Sequence, residues 1–422
     1  MTEDFLSFLW QYKLYNPNEL FADGEKIEVL HPGERNVDAG PDFFNTKIKI
    51  GETVWAGNAE IHRKATDWNL HGHDKNPAFD NVILHVTAQN DGSVYTSKGR
   101  KLQTIELAFD SAYWHNYNSL LVQPLWIPCA GQIAVIDPFI ISSWLSKLGI
   151  ERLESRTTSI LNQLEKTNND WEEIFFRQIA RSFGFHVNSL PFEALANVTP
   201  YIIVKKCSHD ITQIEALLFG QAGFLHDDYS DDEYYRKLKS EYNFLRAKYD
   251  LTPIDTHLWK FLRLRPGNFP TIRLAQFAAF LHRNPSFFSS IIDAAESETL
   301  IEMLTANISD YWKVHYTFGD ESQLKSKSLG RNSACTILIN TVIPFYFVYA
   351  KKLGLPQFQD RAMQLLESLD AETNSVITGW AELGVNASNA FDSQALLQLK
   401  NEYCEKKRCL ECAIGSKLIC RK

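Results

Sequence analysis

The chain has 422 residues, 45% hydrophobic and 22% charged, with a formal net charge of −8. That length exceeds what one hydrophobic core supports, so two or three domains are expected, and so apolar a composition excludes a disordered chain. The acidic balance excludes a uniformly basic nucleic-acid binder while leaving room for a local basic patch.

No positively charged leader opens the chain, since Met1 is followed by Thr2, Glu3 and Asp4. Phe5, Phe8, Leu9 and Tyr12 then fall at helical spacing and predict a short amphipathic helix over 4–15. The period changes to two. Lys26 to Leu30 reads as a short strand, broken by His31, Pro32 and Gly33. Phe44 to Ile50 and Val54 to His62 alternate like a hairpin closed around Gly51, Glu52 and Thr53. Asn81 to Gln89 is a third long strand, followed by turn residues Asn90, Asp91 and Gly92 and by strands near Ser93 to Thr96 and Leu102 to Leu107.

Beyond Asp137 the pattern is helical. Leu145, Leu148, Leu153, Ile160, Leu161 and Leu164 space like one core-facing surface, and Asp170 with Glu173 has the form of a capping box. Tyr235, Leu238, Tyr242, Leu245 and Tyr249 make another stripe, and Pro270 is placed to open a helix running through Leu281. Arg263, Arg265 and Arg273 around the Pro266 to Pro270 loop form either a loop-stabilising network or an anion-binding corner. The most apolar run, Thr336 to Ala350, is broken by Asn340 and Pro344 and falls short of the ~20 residues of a membrane span, so a soluble protein with no membrane segment is expected. Asp392 or Ser393 is expected to cap the last helix, ending near Tyr403. The expected class is α+β: a mixed sheet with a flanking helix at 1–135, an irregular all-α bundle at 136–403 and a cysteine-cluster tail at 404–422.

The hairpin carries the first candidate site. If Gly51, Glu52 and Thr53 form a three-residue loop, Ile50 pairs with Val54, and Asp42 lies opposite His62. Asp42 and Glu60 are then diagonal neighbours about 7–8 Å apart, on a face made core-facing by Ile48, Ile50, Val54 and Ala56. Two carboxylates there repel each other and lose solvation unless compensated, and Mg²⁺ or Mn²⁺ would compensate them. The plainer alternative has Asp42 capping a turn beside Gly40 and Pro41, and Glu60 in a structural ion pair. His71, His73 and Asp74, with His85 and Asp80, form a second cluster. They are either a Zn²⁺ site with His85 as the strand-borne ligand, or loop histidines that bond to backbone or meet phosphate.

Cys404, Cys409, Cys412 and Cys420 give C-x4-C-x2-C-x7-C, whose central step is a chelating spacing. In a reducing cytoplasm, the expected location, four clustered cysteines suit Zn²⁺ or an iron–sulfur cluster better than disulfides. Lys406, Lys407, Arg408, Lys417, Arg421 and Lys422 outweigh Glu405 and Glu411 there, which suits a phosphate backbone. A purely structural knuckle is the alternative.

Pro41-Asp42 and Glu60-Ile61-His62 on a hairpin after a helix and a strand resemble the PD-(D/E)XK nuclease superfamily. The resemblance implies a restriction-endonuclease-like domain in which Asp42 and Glu60 hold the metal and His62 or Lys64 positions the attacking water. The sequence departs at the family's lysine, where His62 stands with Lys64 one step further on the same face, and Lys64 to Pro77 leaves room for only a short second helix. As a whole the chain is similar to a bacterial family known as domain of unknown function 2851. The likeness rests on Asp38 to Phe43, Trp55 to Asn58 with Glu60 to His62, Asp67-Trp68, His71 to Lys75, Asp80 to His85, Gln213 to Gly223, and Cys404 to Gly415. That likeness implies no established activity. Three functions stay open: a metal-dependent nuclease acting on DNA or RNA, a nuclease-like fold that holds nucleic acid without cutting it, and a scaffold whose helical region binds another protein.

Overall fold

The computed structural model describes residues 1–122, 124–226, 229, 231–294 and 296–421; Lys422, counted in the basic tail above, lies outside them. The chain folds as two compact units, Met1–Leu145 with Leu399–Lys422, and Ser146–Gln398.

The first unit is built on a seven-stranded mixed sheet. In chain order its elements are α1 (Glu3–Gln11), β1 (Phe21–Ala22), β2 (Glu25–His31), β3 (Glu34–Arg35), β4 (Phe43–Ile50), β5 (Thr53–Lys64), α2 (Asp67–Leu70), β6 (Val82–Gln89), β7 (Gln103–Glu106) and α3 (Ser111–Val122). The strands lie in the order β1-β2-β4-β5-β6-β7, with β3 also on β4. Pairing is antiparallel from β1 to β5 and parallel from β5 through β7. A parallel step needs a crossover. Here α2 and two 3-10 turns, His73–Lys75 and Pro77–Phe79, supply it. Flanked on both edges, β6 is buried from Val82 through Thr87, and its sequence there is apolar except at His85 and Thr87. Thr2 caps α1 by accepting the Phe5 amide, and Phe5 packs edge-on to Trp114 at 5.1 Å and stacks on Tyr117 at 5.4 Å, tying α1 to α3.

The hairpin register differs from expectation. β4 and β5 are joined by Gly51 and Glu52 alone, with Gly51 at φ 56°, so Ile50 faces Thr53 rather than Val54. Between Phe43 and Thr46 the ladder slips by one residue where Asn45 takes φ 58°, and Phe43 faces Ala59. The two shifts together set Asp42 directly beside Glu60 rather than diagonal to it. Val54 and Ala56, expected to face the core, are exposed, because β6 begins opposite Asn58 and leaves the outer end of β5 paired to β4 alone. The strand expected near Ser93 to Thr96 reduces to a bridge between Tyr95 and Lys101.

In the second unit Asp170 caps Trp171–Phe183 by accepting the Glu173 amide, and Pro270 opens Pro270–Arg283, which is buried from Pro270 to Leu281. Arg273 bonds Asn268 and Gln276 and lies 4.2 Å over the Phe185 ring, a network that stabilises the loop. The apolar run at 336–350 is part of a longer helical path than expected, since a π-helical segment, Leu338–Val342, carries the helix past Asn340 and Pro344. Among the described residues Arg331–Leu353 is the one helix long and apolar enough to cross a membrane, and 67% of its apolar window is buried. The helix expected to be capped by Asp392 or Ser393 begins earlier, at Ala390, with Asn389 accepting the Asp392 amide. It is not the last, because Ala413–Ile419 follows it.

Candidate metal centre

Two carboxylates from neighbouring strands are locked together by backbone amides. Glu60 Oε2 accepts the Asp42 amide at 3.0 Å, and Asp42 Oδ2 accepts the Ile61 amide at 3.0 Å. The other oxygen of Glu60, Oε1, lies 3.2 Å from His73 Nε2 and 3.8 Å from His62 Nε2. His62 Nε2 is also 3.1 Å from His71 Nδ1. His62, His71 and His73 thus present ligand atoms all within 4.8 Å of one another, with His62 buried and His71 exposed at the mouth.

Parallel pairing builds the floor of this cluster. Glu60 pairs with His85 on β6, and His85 with Thr104 on β7. His62 Nδ1 meets His85 Nε2 at 2.8 Å, and His85 Nδ1 meets Thr104 Oγ1 at 3.5 Å. One side of the cluster is closed by aromatic rings, with Phe79 stacked on His73 at 3.8 Å and Trp68 edge-on to His62 at 6.4 Å.

Burial sets the protonation states. It pushes His62 down to about 2 and His85 down to about 3, with neighbouring imidazoles adding to the effect, so both rings are neutral. The approach of His62 to Glu60 is therefore a polar contact, not an ion pair. Burial, then the negative charge of Glu60, push the Asp42 carboxyl well above its ordinary range, against the Ile61 amide and Arg35. Glu3, in the first turn of α1, is also raised by burial, while His71 and the Arg63 amide pull it down. Beside His73, Asp74 Oδ1 is buried without a hydrogen-bond partner.

The fold thus gathers Asp42, Glu60, His62, His71, His73 and His85 from the candidates. Lys64 lies further along β5, opposite Gln89, with an exposed side chain whose field acts on Asp91. Asp80 is engaged elsewhere, accepting from Ser97 N and Oγ. Sequence reasoning missed Glu3 and Thr104. An acid in a first helical turn reads as a dipole partner, and a threonine in a strand reads as β propensity.

In the tail, Cys409 and Cys412 are buried and Cys404 and Cys420 half-buried, all four free thiols that burial pushes above their ordinary range, and Cys129, in the loop after α3, is buried too. Among the described residues His62, His71 and His73 alone bring three ligand atoms within 4.8 Å of one another.

A family model described as "Protein of unknown function (DUF2851)" matches residues 3–375. That span takes in every residue of the carboxylate–histidine cluster and Cys129, and ends before Cys404. No curated protein and no solved structure gives a match.

Proposed function

We propose that this chain, which belongs to the DUF2851 family, is a divalent-metal-dependent nuclease that cleaves phosphodiester bonds of DNA or RNA at the Asp42–Glu60–histidine cluster. The observation that carries the reading is the meeting of two amide-locked carboxylates from a hairpin with three imidazoles whose ligand atoms lie within 4.8 Å of one another. The strand order supports it, since an antiparallel hairpin followed by a short helical crossover to a parallel strand is the order of the nuclease core that the sequence resembles.

The donors fit a cation. His62, His71, His73 and Glu60 would hold it, and Asp42 would complete the charge. Of the two cations expected for the carboxylate pair, imidazole donors favour Mn²⁺ over Mg²⁺. Once bound, it supplies a Lewis acid and a water of lowered pKa. The chain itself supplies geometry. His85, backed by Thr104, fixes the ring of His62 so that Nε2 faces the cluster. The outlying ammonium of Lys64 is better disposed to meet phosphate than to position water.

The test is cleavage of plasmid, single-stranded DNA and RNA at low salt with Mn²⁺, Mg²⁺ or EDTA. Asp42→Asn and Glu60→Gln keep the oxygens that accept the two amides, so both should fold while cleavage falls to background. Cleavage that survives both changes, or ignores EDTA, refutes the proposal. Salt-sensitive binding without turnover would leave a nucleic-acid holder, and neither activity would favour a protein partner for the helical unit.

A further inference from the structure

The sheet face that carries Glu60 continues outward along β5 into a polar groove of about 540 Å³, within the size of small-ligand sites. No residue of the carboxylate–histidine cluster lines it. Three segments each contribute an asparagine instead: Asn45 from β4, Asn58 from β5 and Asn81 from the end of the crossover.

The local backbone is shaped around this groove. β5 runs through it without an extra residue, so alternation puts Asn58 and Glu60 on one face, about 7 Å apart along the strand. Both neighbouring strands slip beside Asn58. β4 takes in an extra residue between Phe43 and Thr46, and β6 takes in Ile83 between Val82 and Leu84. A bulge on each side spreads the ladder at one residue, a device that re-aims side chains. The Asn58 amide N–H donates to the Asn81 carbonyl at 3.0 Å. Gly57 lets those segments meet, since a Cβ there would stand 2.7 Å from the same carbonyl oxygen. All three asparagines thus stand on fixed backbone. Among the described residues none of their side-chain amides is bonded to protein, which leaves donors and acceptors for a ligand.

We infer that this groove receives one unpaired base of a single-stranded nucleic acid, beside the phosphodiester bound at the Asp42–Glu60 cluster, a placement that rests on the nuclease reading above. An asparagine amide offers a donor and an acceptor in one plane, the pattern by which base edges are read. In a duplex those edges lie within grooves that admit a protruding helix or ribbon, not a recess in a sheet. A base must leave its stack to enter here. His31 and Lys47, paired across β2 and β4 and both exposed, line the same groove and suit a neighbouring phosphate. Glu34, the acid of the lining, suits the exocyclic amino group of a base.

The test is fluorescence anisotropy with a fluorescein-labelled oligonucleotide of mixed sequence, as DNA and as RNA, single-stranded and annealed to its complement. Full-length protein is titrated at low salt in EDTA, so that nothing is cut. Wild type should bind the single strand more tightly than the duplex, and the tighter of the DNA and RNA arms names the sugar. Asn45→Gly keeps the left-handed backbone and Asn81→Ala changes an exposed side chain. The double variant should therefore keep the wild-type circular dichroism and lose about tenfold in single-strand affinity. Cross-linking gives a second reading on unaltered protein: an irradiated thiouracil oligonucleotide should attach to β4, to β5 or beside Asn81. Equal single-strand affinity in variant and wild type, tighter duplex binding, or cross-links confined to other elements would each overturn the inference. Cleavage assays with Mn²⁺ separate it from the nuclease reading. Groove-dependent binding without cleavage keeps the base site and removes the nuclease, whereas cleavage by the double variant with unchanged KM keeps the nuclease and removes the base site.

Discussion

Glu215 offers a test of the electrostatics of the helical unit. It lies on the helix Ile211–Gln221, 1% exposed, and accepts from Ser309 Oγ at 2.8 Å and from the Tyr234 hydroxyl. Burial pushes its carboxyl from 4.5 up to about 8, although Ser309 and Lys237 pull the other way. An acid raised in the native state holds a proton that the unfolded chain has released. Between those two values the native state binds more protons, so stability must fall as pH rises through the window and level off above it. At about 1.4 kcal/mol per pH unit, the loss comes to roughly 3–5 kcal/mol, a large share of the 5–15 kcal/mol typical of a folded domain. Glu215→Gln imitates the protonated form and keeps a partner for each hydroxyl. Urea unfolding of both proteins between pH 5 and pH 9, followed by helical ellipticity, should give near-equal stability at pH 5 and a variant more stable by several kcal/mol at pH 9. Parallel pH profiles would refute the assignment of burial as the dominant cause.

Two further outcomes are expected in the sheet unit. His85→Leu removes the partner of His62 without leaving a void and should weaken Mn²⁺ binding about 10–100-fold, while His85→Gln, which retains an acceptor, should restore much of it; Mn²⁺ titration by calorimetry decides, and equal affinity in His85→Leu and wild type would remove His85 from the site. Gly57→Ala would place a Cβ 2.5 Å from Ile83 Cγ2 and 2.7 Å from the Asn81 carbonyl oxygen, where the parallel pair begins. It should cost about 1–3 kcal/mol, measured by urea unfolding, and an unchanged midpoint would show that β5 and β6 separate there without penalty.

Much of the fold is written in local periodicity. The alternation of β4 and β5, the apolar run of β6 and the capping box at Asp170 each follow from residues close in sequence. What local pattern does not encode is the length of the turn and the slip at Asn45. One residue at each position decides whether Asp42 lies opposite His62 or beside Glu60, and Asn tolerates the left-handed backbone without announcing it. His71 and His73 stood out by spacing, but their meeting with His62 depends on how the crossover folds back over β5. Glu3 had no local signal at all, since it reaches the cluster by tertiary packing.

The buried row across the three parallel strands bears most directly on the choice between a structural and a chemical reading of Glu60. Glu60, His62, His85, Thr87 and Thr104 are all at most 8% exposed, on positions that register and alternation put on one face. Central parallel strands ordinarily carry apolar side chains there, because each buried polar group must recover its lost hydration from a partner. Thr87 does so simply, by donating to the Ile105 carbonyl at 2.9 Å. The others form a chain in which His62 and His85 are neutral and therefore give Glu60 no compensating charge, leaving His73 at the half-open end as its nearest basic group. A carboxylate needed only for folding would be better served by one lysine or arginine than by a relay of imidazoles. Departures from local folding logic concentrate where a site must be held in a particular chemical state, and neutral imidazoles beside two carboxylates are the donor set that the proposed cation site would use.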